Sequence, residues 1–302
     1  MMVTLEEWLA WPHQRLAAFV REKGLSVKLG LDGSSRHYLL RHPALEGRVS
    51  DILEYTREGT DILFGLLDRL FGCGFETVLV LNVWPADLTR RLDHAELMAD
   101  ASEIALLSER ALRYYADWDV QAHLYGNYDV SDGLVAVRPQ LLALDERLAL
   151  LTHGSRRLLW GYCAGDGLDE LIVRSVRFAL QTGRPPTEVE LRQACFPHGP
   201  HTLDVYIGGG WLRAGHVDIP PVLNRGTTDL YWLSHLTSDL TESQLRYILY
   251  DRIFRRYALL PSDDVFYDRH SLDLLKTYYD TQTDRVIGLG ELIGPGLWHV
   301  AG

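Results

Sequence analysis

Short, nearly uninterrupted apolar runs alternate along this chain with longer segments whose apolar residues recur every three or four positions. Ser26–Leu31 (SVKLGL) reads as a strand that ends on Asp32–Gly33. Val49 to Leu70 reads as a helix, because Ile52, Tyr55, Ile62, Leu63, Leu66 and Leu70 form a stripe at helical spacing and Gly72 and Gly74 stop it. Thr77–Val83 (TVLVLNV) is apolar almost throughout, as a strand covered on both faces must be. Further helices are expected over Ala95–Tyr115, Pro139–Thr152, Leu168–Gly183 and Thr241–Tyr257, and strands over Val120–Tyr125, Arg157–Cys163, Leu203–Ile207 and Thr228–Leu233. Thr241–Glu242 reads as a weak cap, since Glu is not at the third helical position. Strand and helix in alternation specify an α/β fold with a mainly parallel central sheet flanked by helices. Ligands of such sheets bind outside the carboxyl ends of the strands. That rule selects Asp32–Arg36, Asn82–Asp87, Tyr125–Asp129, Cys163–Asp169 and Gly208–Arg213.

A length of 302 residues allows one large domain or two smaller ones. Lys+Arg 30 against Asp+Glu 41 gives a net charge of −11, which argues against a nucleic-acid partner, because that affinity comes from cationic neutralisation of phosphates. An anionic ligand held at one local site stays compatible with it. The apolar runs are strand-sized, so no membrane-spanning segment is expected. Glu6, Glu7, Pro12 and His13 are at odds with a secretory leader. Cys73, Cys163 and Cys195 are too few and too scattered for a disulfide scaffold or a structural zinc site. The expectation is a soluble cytoplasmic protein.

The segment with most chemistry is Leu31-Asp32-Gly33-Ser34-Ser35-Arg36-His37. Backbone amides around Gly33 can cradle an anion, Ser34 and Ser35 can donate to phosphate oxygens, and Arg36 can grip them bidentately. Asp32 repels a phosphate directly but can hold a Mg²⁺ that bridges to a diphosphate. The same residues also make an ordinary turn after a strand. Gly208-Gly209-Gly210 lets a backbone approach a ligand closely, or is a flexible loop, and it lacks the spacing of a dinucleotide fingerprint. Asp166 and Asp169 stand at a strand-to-helix junction, where they serve either an anion site nearby or plain helix initiation. Trp84 lines a pocket or packs in the core. Arg246, Arg252, Arg255 and Arg256 read as a solvated face or an interface, and Pro197 and Pro200 put His198 and His201 in a loop unsuited to metal.

From Leu31–Arg36 onward the chain resembles the cis-prenyltransferases, the undecaprenyl diphosphate synthase superfamily, whose first strand ends in an Asp-Gly-Asn-(Gly/Arg)-Arg signature. The likeness runs in register through Asp61–Val83, His123–Asp129, Leu158–Ile172 and Leu203–Trp232, about residues 25 to 260, which favours a single domain over 1–302 with an N-terminal helix and a C-terminal tail added. The Arg-Thr-Gly-Gly-Glu that binds isopentenyl diphosphate in elongating members is replaced here by Gly208-Gly209-Gly210-Trp211-Leu212-Arg213, so chain elongation loses its second diphosphate site. A narrower branch is more similar: the tuberculosinol synthases, also called tuberculosinyl adenosine transferases, and the kolavelool synthases. Asp32, Gly33 and Arg36 match that branch's Asp-Gly-Thr-Arg-Arg, with Ser34 for Thr and Ser35 for the first Arg. Ile207–Gly210, Leu245–Asp251 (LRYILYD) and Asp284–Gly290 (DRVIGLG) match further motifs, and Tyr55 falls on a functional Tyr of the group.

The resemblance implies an enzyme that ionises a bicyclic diterpenyl diphosphate and captures the allylic cation with water to give a diterpene alcohol. By that resemblance Asp32 holds Mg²⁺ and is catalytic with Tyr55. Gly33, Ser34, Ser35, Arg36 and Arg213 bind the diphosphate, and Trp84, Asp166, Gly208 and Gly209 line the pocket. It implies a homodimer. Transfer to a nucleoside such as adenosine, chain elongation, and a degenerate accessory subunit are the competing readings.

Overall fold

The computed structural model describes residues 3–31, 34–45, 51–83, 94–129, 131, 134–162, 168–209, 219–224, 226–256, 268–281, 289–292 and 298–300. Six strands form the main sheet: β1 (Ser26–Leu29), β2 (Thr77–Val83), β3 (Val120–Tyr125), β4 (Arg156–Tyr162), β5 (Val205–Gly209) and β6 (Asp229–Leu233). Their order is β3-β4-β2-β1-β5-β6, and every adjacent pair is parallel. All six carboxyl ends therefore lie along one edge, and β1, the first strand in sequence, is central. Two short strands, β7 (Gly290–Leu292) and β8 (Trp298–Val300), pair antiparallel as a second sheet.

The connecting helices are α1 (Leu5–Leu9), α2 (His13–Glu22), α3 (Ser34–Arg41), α4 (Ile52–Gly72), α5 (His94–Leu106), α6 (Glu109–Asp117), α7 (Arg138–Leu151), α8 (Leu168–Thr182), α9 (Glu188–Cys195), α10 (Glu242–Tyr250) and α11 (Arg269–Thr281). Successive strand side chains point to opposite faces. On one face Val27, Leu29, Val78 and Val80 meet Leu63, Leu66, Leu67 and Leu70 of α4. On the other, Leu79, Leu81, Leu159 and Tyr206 meet Cys195, Phe196, Leu203 and Leu223. Both faces are thus covered, as the apolar run of β2 requires.

The N-terminal helices share the α4-side core. Trp8 is fully buried, and its ring nitrogen donates to the Arg246 carbonyl at 2.8 Å. At the opposite margin the edge strand β3 has its outward amides satisfied. Ala122 donates to Thr152 Oγ1 at 2.9 Å and Leu124 to Asp145 Oδ1 at 2.7 Å. A strand edge treated so no longer templates another chain.

The structure differs from the sequence reading at several points. The expected Ala95–Tyr115 helix is two helices, because Ser108 accepts from the Ala111 amide and starts α6 as its N-cap. Thr241 makes a full capping box with Gln244 at the third helical position, where Gln serves as well as Glu. The helix it opens ends at Tyr250, and a wider π-type turn carries on to Arg256. The arginine cluster divides, with Arg255 and Arg256 exposed and Arg246 and Arg252 drawn in. Arg252 lies between Asp204 and Asp229, 2.9 Å from each, and Arg256 reaches Asp251.

Candidate functional site

β1 ends at Leu29, and Ser34-Ser35-Arg36 form the opening of α3. The motif is therefore a strand end joined to a helix start. The first amides of a helix have no intrahelical acceptor and favour an anion. Asp32 and Gly33 lie outside the described residues, as do Trp84, Asp166 and Arg213. For Ser34, Ser35 and Arg36 the backbone position is the extent of the description.

Gly30, just before the motif, shows why the strand end is glycine. Its amide donates to the Ile207 carbonyl at 2.9 Å and its carbonyl accepts from Thr237 Oγ1 at 3.0 Å. A Cβ there would fall 2.9 Å from Cζ of Tyr206, so only glycine admits the ring. Gly208 carries the same ring; a Cβ on it would lie 2.7 Å from Tyr206 Cε1. Gly208 and Gly209 are buried residues of β5, in register with Trp232 and Leu233 of β6. The strand runs two residues beyond the expected end at Ile207, so Gly208 and Gly209 are sheet residues and no flexible loop, and Gly208 gives room to Tyr206. Gly210 lies outside the described residues.

Tyr55 stands in the opening turns of α4, whose N-cap Asp51 accepts from the Glu54 amide. Its ring meets Tyr38 of α3 edge-on at 5.4 Å. Tyr38 is buried, and its hydroxyl donates to Glu54 at 3.2 Å. Burial, and then the bond and charge of Glu54, push the Tyr38 phenol above its ordinary range. One turn further along, His42 pairs with Glu58 at 2.8 Å. α3, which opens with the motif, and α4, which carries Tyr55, are thus clamped together by two polar pairs and a ring contact.

Beside this clamp lies a small cleft of about 40 Å³, lined by Leu31, His37, Gly59, Ile62, Leu63, Leu66 and Ser238. Its walls come from the end of β1, from α3, from α4 and from the Thr237–Asp239 turn. Apolar side chains supply most of the surface, and His37 is the one titratable group among them. The Val49–Leu70 stripe therefore divides its work, since Leu63 and Leu66 face both the core and the cleft.

Two polar arrangements at the other strand ends escaped the sequence reading. Lys28 is fully buried in β1 and donates to the Tyr125 hydroxyl at 2.8 Å. Beyond β3, Arg174 is held between Asp129 and Glu170, 2.8 Å from each. Burial raises the Glu170 carboxyl, and the Arg174 charge opposes that shift. The signals available were a lone lysine inside an apolar strand and a Glu-x-x-x-Arg pair on α8.

Burial pushes the Cys73 and Cys195 thiols up to about 12, which disfavours the thiolate. Cys163 lies outside the described residues. His198 stacks flat on the buried His123, ring centres 3.6 Å apart, and burial with the neighbouring His123 lowers it. No group of three His, Cys, Asp or Glu side chains converges on a metal position among the described residues.

No protein-family model matches the chain. Over its full length it is 28% identical to a tuberculosinyl adenosine transferase from Mycobacterium tuberculosis (strain CDC 1551 / Oshkosh), covering 99% of that protein. Its fold superposes on a lavandulyl diphosphate synthase from Lavandula x intermedia, solved in complex with dimethylallyl diphosphate, with TM-score 0.52 and 14% identity, over 76% of this chain and 94% of that one. A probable undecaprenyl diphosphate synthase from Campylobacter jejuni matches with TM-score 0.52 and 12% identity, over 76% and 95% of the two chains. The chain thus shares the fold of these two prenyl diphosphate synthases, and in sequence it is similar along its whole length to a tuberculosinyl adenosine transferase.

Proposed function

We propose that the protein ionises a bicyclic diterpenyl diphosphate and captures the allylic cation with water, releasing a diterpene alcohol and diphosphate. The observation that supports it is that Ser34–Arg36 open a helix just beyond the carboxyl end of the central strand and beside an apolar cleft. In this reading Gly33, Ser34, Ser35 and Arg36, with Arg213, neutralise the departing diphosphate, and that electrostatic stabilisation drives ionisation. Tyr55 offers its ring face to the cation. Trp84 and Asp166 complete the pocket.

Mg²⁺ is typically bound by one or two carboxylates together with substrate phosphates and water. Asp32 with the two phosphate groups of the substrate suits that donor set, while Glu54 and Glu58 of α4 are engaged by Tyr38 and His42. Bound there, the ion would supply charge to the leaving group.

A second reading keeps the ionisation and changes the acceptor to a nucleoside. What favours it is the full-length likeness to a protein named for transfer to adenosine. Purified enzyme offered labelled diterpenyl diphosphate, with and without adenosine, separates the two by product mass. Incorporation of isopentenyl diphosphate would point to chain elongation, and no diphosphate release from any prenyl diphosphate to a non-catalytic accessory subunit.

The proposal also takes the protein as a cytoplasmic homodimer of single-domain subunits. No helix of the described residues is long and apolar enough to cross a membrane. In this reading the second copy would dock on α8. Leu168, Ile172, Val176 and Leu180 run four residues apart along α8 and are 60%, 53%, 53% and 81% exposed. The stripe is symmetric in size, so a twofold crossing sets Leu168 against Leu180 and Ile172 against Val176, ridge into groove.

A further inference from the structure

The His37 imidazole stands at the apolar cleft next to the last residue of the Asp32–Arg36 segment. Its Nδ1 lies 3.1 Å from Ser238 Oγ. The turn that carries Ser238 is itself fixed: Thr237 Oγ1 donates to the Gly30 carbonyl at 3.0 Å, and Arg69 of α4 donates to the Leu240 carbonyl at 2.9 Å. A half-buried ring is thus oriented from one side at the margin of a pocket whose other walls are Leu31, Gly59, Ile62, Leu63, Leu66 and Ser238.

Resting on the water-capture reading above, we propose that His37 is the proton acceptor of the capture step and that Ser238 is its positioning residue. The bond from carbon to the diphosphate oxygen breaks, and its electron pair leaves on that oxygen. A water lone pair forms the new C–O bond, and the resulting oxonium passes one proton to His37. With Nδ1–H donating to Ser238 Oγ, Nε2 is the accepting atom; the imidazolium then releases the proton to solvent. Of the cleft-lining groups, His37 is the one able to do this. Without it, the strongest base left beside the cation is the diphosphate, which takes a proton from carbon and gives an olefin.

The test compares wild type, His37→Ala and Ser238→Ala with labelled diterpenyl diphosphate, following diphosphate release and product mass separately, with thermal unfolding as the folding control. For His37→Ala, diphosphate release is expected to persist while alcohol formation falls about 10²-fold, the lower range for a positioned base, and olefin replaces it. Added imidazole is expected to restore alcohol in His37→Ala, and Ser238→Ala to show a smaller shift of the same kind. An unchanged alcohol-to-olefin ratio in His37→Ala, or a loss that imidazole does not restore, overturns the role of His37. Wild-type protein that releases no diphosphate overturns instead the reading on which it rests.

Discussion

Lys28 Nζ donates to the Tyr125 hydroxyl at 2.8 Å, joining the central strand β1 to the edge strand β3 over the two strands between them. Both residues are buried. Tyr125→Phe removes a hydroxyl that accepts from Lys28 and is expected to cost about 1–3 kcal/mol. Lys28→Met replaces the buried polar end with an apolar one, takes its desolvation penalty away, and is expected to cost less. Denaturant unfolding of the two variants checks the ranking, and a costlier Lys28→Met would reverse it.

Gly30 and Tyr206 form a matched pair. Gly30→Ala drives a methyl against the Tyr206 ring and is expected to destabilise by about 1–3 kcal/mol, as overpacking does. In Gly30→Ala/Tyr206→Leu the clash is gone, so the two costs should fall short of their sum. Strict additivity in a double-mutant cycle would refute the contact.

Asp145 sets a pH dependence. Burial alone would raise its carboxyl, but the His123 ring 3.8 Å away and hydrogen bonds from the Leu124 amide and the Tyr128 hydroxyl outweigh burial and hold it below the ordinary Asp range. A carboxyl depressed in the folded state contributes stability that is fully present above its unfolded value and is lost as pH falls through the folded value. The stability gap between wild type and Asp145→Asn should therefore be widest near neutrality and close below about pH 4, the ordinary Asp value. Unfolding midpoints from pH 7 to 3 measure this; a gap that grows on acidification contradicts it.

Asp32→Asn is expected to lower diphosphate release by about 10³-fold at unchanged unfolding temperature, in line with the loss of one strong leaving-group contact. An active Asp32→Asn enzyme would sink the assignment of the strand-end segment as the reaction centre.

Ile172→Lys puts a charge at the middle of the exposed α8 stripe, where the proposed twofold crossing would set it against Val176 of a second copy. Sedimentation should show a dimer for wild type and a monomer for the variant. A monomeric wild type, or a dimer indifferent to the substitution, removes α8 as the interface.

The sheet was legible because its strands are short apolar runs, and β2 shows Val78 and Val80 on one face with Leu79 and Leu81 on the other. The stripe of α4 was equally plain. α3 was not, because Asp32-Gly33-Ser34-Ser35 is turn chemistry and the helix that follows is only eight residues long. α9 was missed although Thr187 and Glu190 write a capping box in the sequence. In the site, the spacing of one motif placed Ser34–Arg36, and Tyr55 came from resemblance alone. The cleft of His37 and Ser238 joins residues 201 positions apart. No local pattern could bring those two together; only the parallel sheet does.

The sheet order has a consequence for biosynthesis. β1 is made first, yet one of its two neighbours, β5, ends at Gly209. While the ribosome adds the 175 or so residues between them, the central strand keeps one hydrogen-bonding edge open, and a nascent or truncated chain ending before β5 carries that edge exposed. The bond from Thr237 to Gly30 closes later still. The cleft at the end of β1 is therefore assembled late, when the last quarter of the polypeptide emerges.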